Sequence, residues 1–152
     1  MSERAIHLPD ELAAQLLGAA ARASPLECCG LIEGIRTQGG WRVTALQEAA
    51  NVAEDPARHF LIDPQKQFDL MRALRALRAP RAPRASETRI IGCFHSHPAG
   101  PPEPSATDCA QALEDDFLWL IAGGSEESGF TLQAYVFSEE SGFVRVALRE
   151  ES

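Results

Sequence analysis

The sequence predicts an α/β (α+β) fold, with one domain over residues 1–152 built as a mixed β-sheet flanked by helices. Three observations lead there. The chain has 152 residues, 45% of them hydrophobic, which suits a single core. Short runs of strand-forming residues alternate with two longer stretches of helical apolar spacing. No obvious break and no internal repeat at solenoid spacing divides the chain.

The elements follow in order. Residues 5–8 read as a short strand. Pro9, Asp10 and Glu11 open a helix, with proline and acids in its first turn, and Leu12, Leu16 and Leu17 keep helical spacing until Ser24 and Pro25. Residues 28–35 read as a buried strand, and Gly39 with Gly40 makes a hairpin turn into a strand over 41–46. Residues 51–58 form a polar loop, and 59–62 a further strand. Asp63 and Pro64 start a helix to about Leu77, with Phe68, Leu70, Met71 and Leu74 inward. Residues 78–88 repeat Arg, Ala and Pro, whose prolines cannot continue a helix, so a mobile loop is expected there. Residues 89–94 are strand formers leading into His95 and His97. Ser105 is a good N-cap for a short helix to about Leu113. A buried strand over 117–122, a turn region over 123–129 and paired strands over 130–137 and 143–148 complete the chain.

Charge and composition bound the function. A net charge of −8 argues against nucleic acid as a partner. No apolar run approaches the roughly 20 residues that span a bilayer, so no membrane partner is expected. The first residues lack the apolar core of a secretory signal, which predicts a cytoplasmic protein. Adjacent Cys28 and Cys29, with Cys93 and Cys109, make a poor disulfide framework and contain no C-x-x-C, so reduced and mostly buried thiols are expected. Arg72, Arg75, Arg78, Arg81, Arg84 and Arg89 crowd one stretch. They read either as a solvated helix face with a loose linker or as a basic lip for an acidic partner. Thirteen arginines against one lysine point to a GC-rich, bacterial genome.

The chemistry concentrates in one run. His95 and His97 lie two residues apart, so on a strand both rings project to the same face. Pro98 stops the ladder, and Asp108 follows eleven residues after His97. Two histidines and a carboxylate are common protein ligands of a catalytic zinc, with a fourth position left for water. A histidine alone is more often structural, and Asp108 alone would read as a first-turn acid favoured by the helix dipole. Together, on one strand face and a capped helix, they predict a metal site.

The run from His95 through Ser96, His97, Pro98, Gly100, Pro104 and Ser105 to Asp108 resembles the JAMM (MPN-plus) metalloprotease motif H-S/T-H-P-x-G-x-x-x-P-S-x-x-D at every defining position. Glu27, with Cys29, Gly30, Leu31 and Gly34 after it, is similar to the family's upstream E-x-C-G-L-L-x-G run. Asn51 with residues 59–64 resembles a stretch common in short prokaryotic members. The resemblance covers roughly residues 5–148. It implies a mixed sheet of broadly cytidine-deaminase-like architecture and one Zn2+ per chain held by His95, His97 and Asp108. It implies Ser105 as an oxyanion donor and Glu27 as general acid and base. The implied substrate is a ubiquitin-like or sulfur-carrier protein ending in Gly-Gly, cleaved at a peptide or isopeptide bond.

Alternatives stand beside these roles. Glu33 lies six residues after Glu27 on the same expected strand, so parity cannot separate the two and only the resemblance selects Glu27. Glu103 reads as a solvated rim residue. Cys93 and Cys109 flank the ligands and could act as soft ligands only adventitiously. His7 and His59 read as ordinary strand or surface histidines. A deubiquitinase acting on ubiquitin-type conjugates and a non-catalytic docking module are the competing functions. A zinc nucleoside deaminase would need H-x-E with P-C-x-x-C, which this chain lacks. The oligomeric state is not legible.

Overall fold

β1 (Ala5–Pro9) runs without a break into α1 (Asp10–Ala23), because Pro9 ends the ladder and pre-sets the first helical turn. β2 (Cys29–Thr37) and β3 (Gly40–Ala49) form the expected hairpin, α2 (Pro64–Leu77) follows, and β4 (Arg89–Pro98) carries the histidines. After α3 (Ala106–Gln111), β5 (Phe117–Ser125), β6 (Gly129–Ser138) and β7 (Gly142–Glu151) run as a meander. The computed structural model describes residues 4–77, 88–112 and 114–152. Ten of the eleven residues of the expected loop at 78–88, with Arg78, Arg81 and Arg84, lie outside them. Arg72 and Arg75 lie exposed on α2, and Arg89 opens β4.

The strands make a mixed sheet in the order β1-β3-β2-β4-β5-β6-β7 that closes on itself. β1 is parallel to both β3 and β7, β4 is parallel to β5, and the remaining pairs are antiparallel. Closure comes from β7. It pairs with β6 up to Val146, then leaves it and pairs with β1 from Ala147 onward. The sequence reading anticipated the mixed α+β composition and not this closure.

Strand alternation sorts the core into two sides. Leu118, Leu120 and Ala122 of β5 join Trp41, Phe94 and the α1 residues Ala13, Leu16 and Ala20. Trp119 and Ile121 point the other way, into a cluster with Cys29, Phe60, Cys93 and Tyr135. A register slip between Ile32 and Glu33 puts Ile91 on the Phe94 side, out of simple alternation. From Phe94 onward alternation holds, and it sends His95 toward Phe60 and Trp119.

Several expectations need correction. Phe68 and Met71 of α2 do not face inward: they are 55% and 46% exposed, and only Leu74 of the expected inward set is buried. Residues 59–62 are not a strand; only Ile62 makes a single bridge, to Asn51. The reason is that the His59 carbonyl and the Leu61 amide bond to the Asn51 side chain, so no neighbouring strand can use them. β5 continues to Ser125 through part of the expected turn, and the short helix after Ser105 ends at Gln111. Glu27 precedes β2 and does not share its strand with Glu33.

Candidate metal centre

β4 supplies both imidazoles at its C-terminal end. It lies between β2 and β5, with Cys29 and Ile121 opposite His95. His95 is fully buried. Phe60 stacks on its ring at 4.3 Å between centroids, and Trp119 meets it edge-on at 5.7 Å. α3 supplies the carboxylate. Ser105 caps this helix: its Oγ accepts from the Asp108 amide at 3.0 Å, and Asp108 Oδ2 accepts from the Ser105 amide at 2.9 Å. This capping box fixes the Asp108 side chain where the sequence places it.

Three atoms meet as a result. His95 Nε2 and His97 Nε2 are 3.0 Å apart, and Asp108 Oδ2 lies 3.1 Å from the first and 3.2 Å from the second. Three acceptor-capable atoms this close need a positive centre between them, either a hydrogen on one imidazole nitrogen or a metal cation. Ligand atoms about 2.0–2.2 Å from a tetrahedral zinc stand roughly 3.3 Å apart, so the triangle fits that donor set. Glu27, His95 and His97 also offer atoms all within 4.8 Å of one another, a group that could hold a metal ion. Asp108 is the nearer carboxylate to both rings.

The electrostatics agree. Burial raises the Asp108 carboxyl, but its bonds to His95 and His97 outweigh burial and hold it well below the usual carboxylate range. Burial pulls the His95 imidazole down. His97 is pulled down by burial too, yet bonds to Asp108 and to the Pro101 carbonyl bring it above its ordinary value. Burial pushes the Glu27 carboxyl up to about 7, against the lowering pull of His97.

Glu27 is buried, on a short segment outside any helix or strand. Its amide donates to the Pro56 carbonyl at 2.8 Å, and its carbonyl accepts from Asn51 Nδ2 at 3.0 Å. The next residue is tied to β4. The Cys28 amide donates to Ser96 Oγ at 2.8 Å, and the Ser96 amide to the Cys28 carbonyl at 3.2 Å. Glu33 accepts from Gln47 and sits across from Ile90, five residues up β4 from His95, so the structure separates the two acids that sequence parity could not.

The loop after His97 is braced by β5 and β6. His97 Nδ1 bonds to the Pro101 carbonyl at 3.0 Å, and Tyr135 Oη to the Pro102 carbonyl at 3.0 Å. Gly123 lies beneath; a Cβ there would meet Pro102 N at 2.3 Å and Gly100 O at 2.7 Å.

All five expected site residues, Glu27, His95, His97, Ser105 and Asp108, come together. Ser96, Phe60 and Tyr135 support them; the sequence offered Ser96 and Phe60 only as positions within the resembling runs, with no role attached, and Tyr135 not at all. Ser96 had a signal, since the motif asks for Ser or Thr there; Tyr135 had none. Glu103 is exposed, His7 bonds to Glu151 at 2.6 Å, and all four cysteines are free, with Cys109 exposed. A groove of about 480 Å³, lined by Leu31, Phe60, Ile62, Cys93 and Trp119 with Gln67, Gln111 and Glu114, shares Phe60 and Trp119 with the surroundings of His95 and includes none of the five site residues. A larger cavity of about 710 Å³, bordered by Leu17, Phe130 and Leu148, holds none of the site residues.

Comparison with known proteins gives the family. A model described as prokaryotic homologs of the JAB domain matches residues 9–136. A curated protein named desampylase, from Haloferax volcanii, is 30% identical over 102 residues, which cover 67% of this chain and 66% of that protein, just under two thirds of its length. A solution structure from Desulfitobacterium hafniense has a TM-score of 0.77 at 26% identity, covering 97% of this chain and 93% of its own. Another, from Salinibacter ruber, has a TM-score of 0.64 at 29% identity, covering 96% and 92%.

Proposed function

The chain belongs to the family of prokaryotic homologs of the JAB domain, and from that premise we propose that it is a zinc-dependent hydrolase. It cleaves a peptide or isopeptide bond after the C-terminal Gly-Gly of a ubiquitin-like or sulfur-carrier protein. The observation that carries this reading is the meeting of His95 Nε2, His97 Nε2 and Asp108 Oδ2 within 3.0–3.2 Å, with Glu27 beside them. The desampylase relative supports the substrate class.

His95, His97 and Asp108 would hold the ion. Zinc, when bound, supplies a Lewis acid that acidifies water and polarises the scissile carbonyl. Glu27 then takes a proton from the attacking water onto its carboxylate and later gives it to the departing amine. In the metal-free protein burial pushes this carboxyl up to about 7; beside the charge of a bound zinc it would return toward the carboxylate that accepts the proton. Ser105 Oγ already accepts the Asp108 amide, so its own proton is free to donate to the oxyanion that forms at the carbonyl. No covalent intermediate is required, and the four cysteines take no part.

The groove that shares Phe60 and Trp119 with the His95 surroundings would give the tail a path toward the site. A Gly-Gly terminus has no side chains and can lie extended against backbone. Arg72 and Arg75, exposed on α2, would steer an acidic carrier body. We place the protein in the cytoplasm, with neither nucleic acid nor a membrane as partner; among the described residues no helix is long and apolar enough to cross one.

The test is incubation of the zinc-loaded protein with each Gly-Gly-ending carrier of its genome, extended by a short peptide. Mass spectrometry should show cleavage after the second glycine for one carrier. Intact substrates throughout would reject the proposed specificity.

A further inference from the structure

His95 is oriented without a hydrogen bond on its far nitrogen. Its Nδ1 is buried and has no hydrogen-bond partner. A metal-ligating imidazole ordinarily has its second nitrogen fixed by such a bond, as His97 has through Pro101. The plane of His95 is set by rings instead, with Phe60 stacked on it at an interplanar angle of 19° and Trp119 edge-on. Trp119 is held by the sheet. Phe60 belongs to no helix or strand, so something else must hold it.

That role falls to the Asn51 amide. Its Nδ2 donates to the His59 carbonyl at 3.0 Å, and its Oδ1 accepts from the Leu61 amide at 3.0 Å. These peptide groups flank Phe60 on both sides. The same Nδ2 donates to the Glu27 carbonyl at 3.0 Å, and the same Oδ1 accepts from the Ala53 amide at 3.1 Å. An amide side chain has two donor hydrogens and two acceptor lone pairs, and here the backbone takes all four. One side chain is therefore bonded both to the segment carrying Glu27 and to the segment whose ring lies on His95.

We propose that Asn51 is a positioning residue that fixes the Glu27 carboxyl relative to the His95 imidazole, acting through the Glu27 backbone on one side and the Phe60 ring on the other. The Glu27 half rests on the function proposed above; the orientation of His95 does not. A residue that only closed the 51–62 loop would change stability and leave the His95 ring where it is.

Asn51→Asp keeps the shape of the side chain and turns its two donors into a charged oxygen facing two carbonyls. Phe60→Leu keeps apolar bulk and removes the stack. The first readout needs neither metal nor substrate: the NMR shifts of the His95 ring protons in the metal-free protein, which a stacked Phe60 displaces upfield. Both variants should move these resonances toward unstacked values. Zinc affinity, measured by chelator competition, should fall about tenfold. On a cleavable carrier, kcat should fall about ten- to a hundredfold with KM within about twofold. Unchanged His95 shifts in folded Asn51→Asp overturn the proposal. If that variant does not fold, Asn51→Ser removes the same bonds to the 27 and 59 carbonyls without adding charge and is read in the same way. Moved shifts and weakened zinc in the variants, with no cleavage by the parent protein, would uphold the positioning role and remove only the proposed function.

Discussion

His97 Nδ1 lies 3.0 Å from the carbonyl oxygen of Pro101, and a carbonyl can only accept. Nδ1 therefore carries the ring hydrogen, and Nε2 is left to face His95 Nε2 and Asp108 Oδ2. A proline-rich loop with no chemistry of its own thus sets which nitrogen is free for a cation.

The protein is expected to hold about one zinc per chain. Asp108→Asn keeps an oxygen to accept the Ser105 amide, so α3 should survive while zinc is lost or much weakened. His95→Ala should lose it outright. Metal analysis after gel filtration, with circular dichroism for folding, checks both. Full zinc occupancy in His95→Ala would place the ion elsewhere.

Glu27 links the site to stability. Its carboxyl is raised by burial to about 7 in the folded, metal-free protein, against about 4.3 for an unperturbed glutamate. Between those values the native state binds the extra proton, so stability falls as pH rises through that window. Glu27→Gln removes the penalty. Its melting temperature without metal should exceed that of the parent by on the order of several degrees at pH 8 and by little at pH 4. An equal gain at both pH values would mean the carboxyl is not perturbed. The same variant should keep zinc and lose cleavage.

Gly123→Ala should act at a distance. The added Cβ would strike the backbone of residues 100–102, so the loop must move and carry the Pro101 carbonyl away from His97. The expected cost is about 1–3 kcal/mol in stability, with weaker zinc binding. Denaturant unfolding and zinc titration together test this. A variant that loses stability with unchanged zinc affinity would show that the loop does not orient His97.

Ser105→Ala removes two things at once. The helix cap should cost about 1 kcal/mol by unfolding, and the lost oxyanion donor should lower kcat about 10²–10³-fold. Ser105→Asp restores a cap without a hydroxyl donor. It should recover stability and leave kcat low; recovery of both would confine Ser105 to capping.

Much of the site was legible because short-range rules set it. Alternation placed His95 and His97 on one face, and Ser105 with Asp108 three residues on was readable as a capped first turn. The order of strands and helices was readable from the same periodicities. What was not readable depends on partners distant in sequence. Residues 59–62 look like a strand, but Asn51 takes their backbone groups through its side chain, which propensity does not register. Glu27 and Glu33 share a parity that means nothing once Glu27 lies outside β2 and a register slip intervenes at Glu33. Closure of the sheet rests on β7 changing partners after Val146, a choice made by packing. Tyr135 supports the loop after His97 from β6, and nothing near it in sequence points there.

The most direct test of the central claim follows cleavage of a carrier bearing a short peptide after its Gly-Gly terminus, by parent protein and by Glu27→Ala, each stripped by chelator and then reloaded with zinc. The account predicts cleavage after the second glycine that stops on stripping and returns with zinc, and a Glu27→Ala protein that binds zinc yet stays inert. Cleavage that survives complete removal of metal, or a Glu27→Ala protein working at the parent rate, would contradict it.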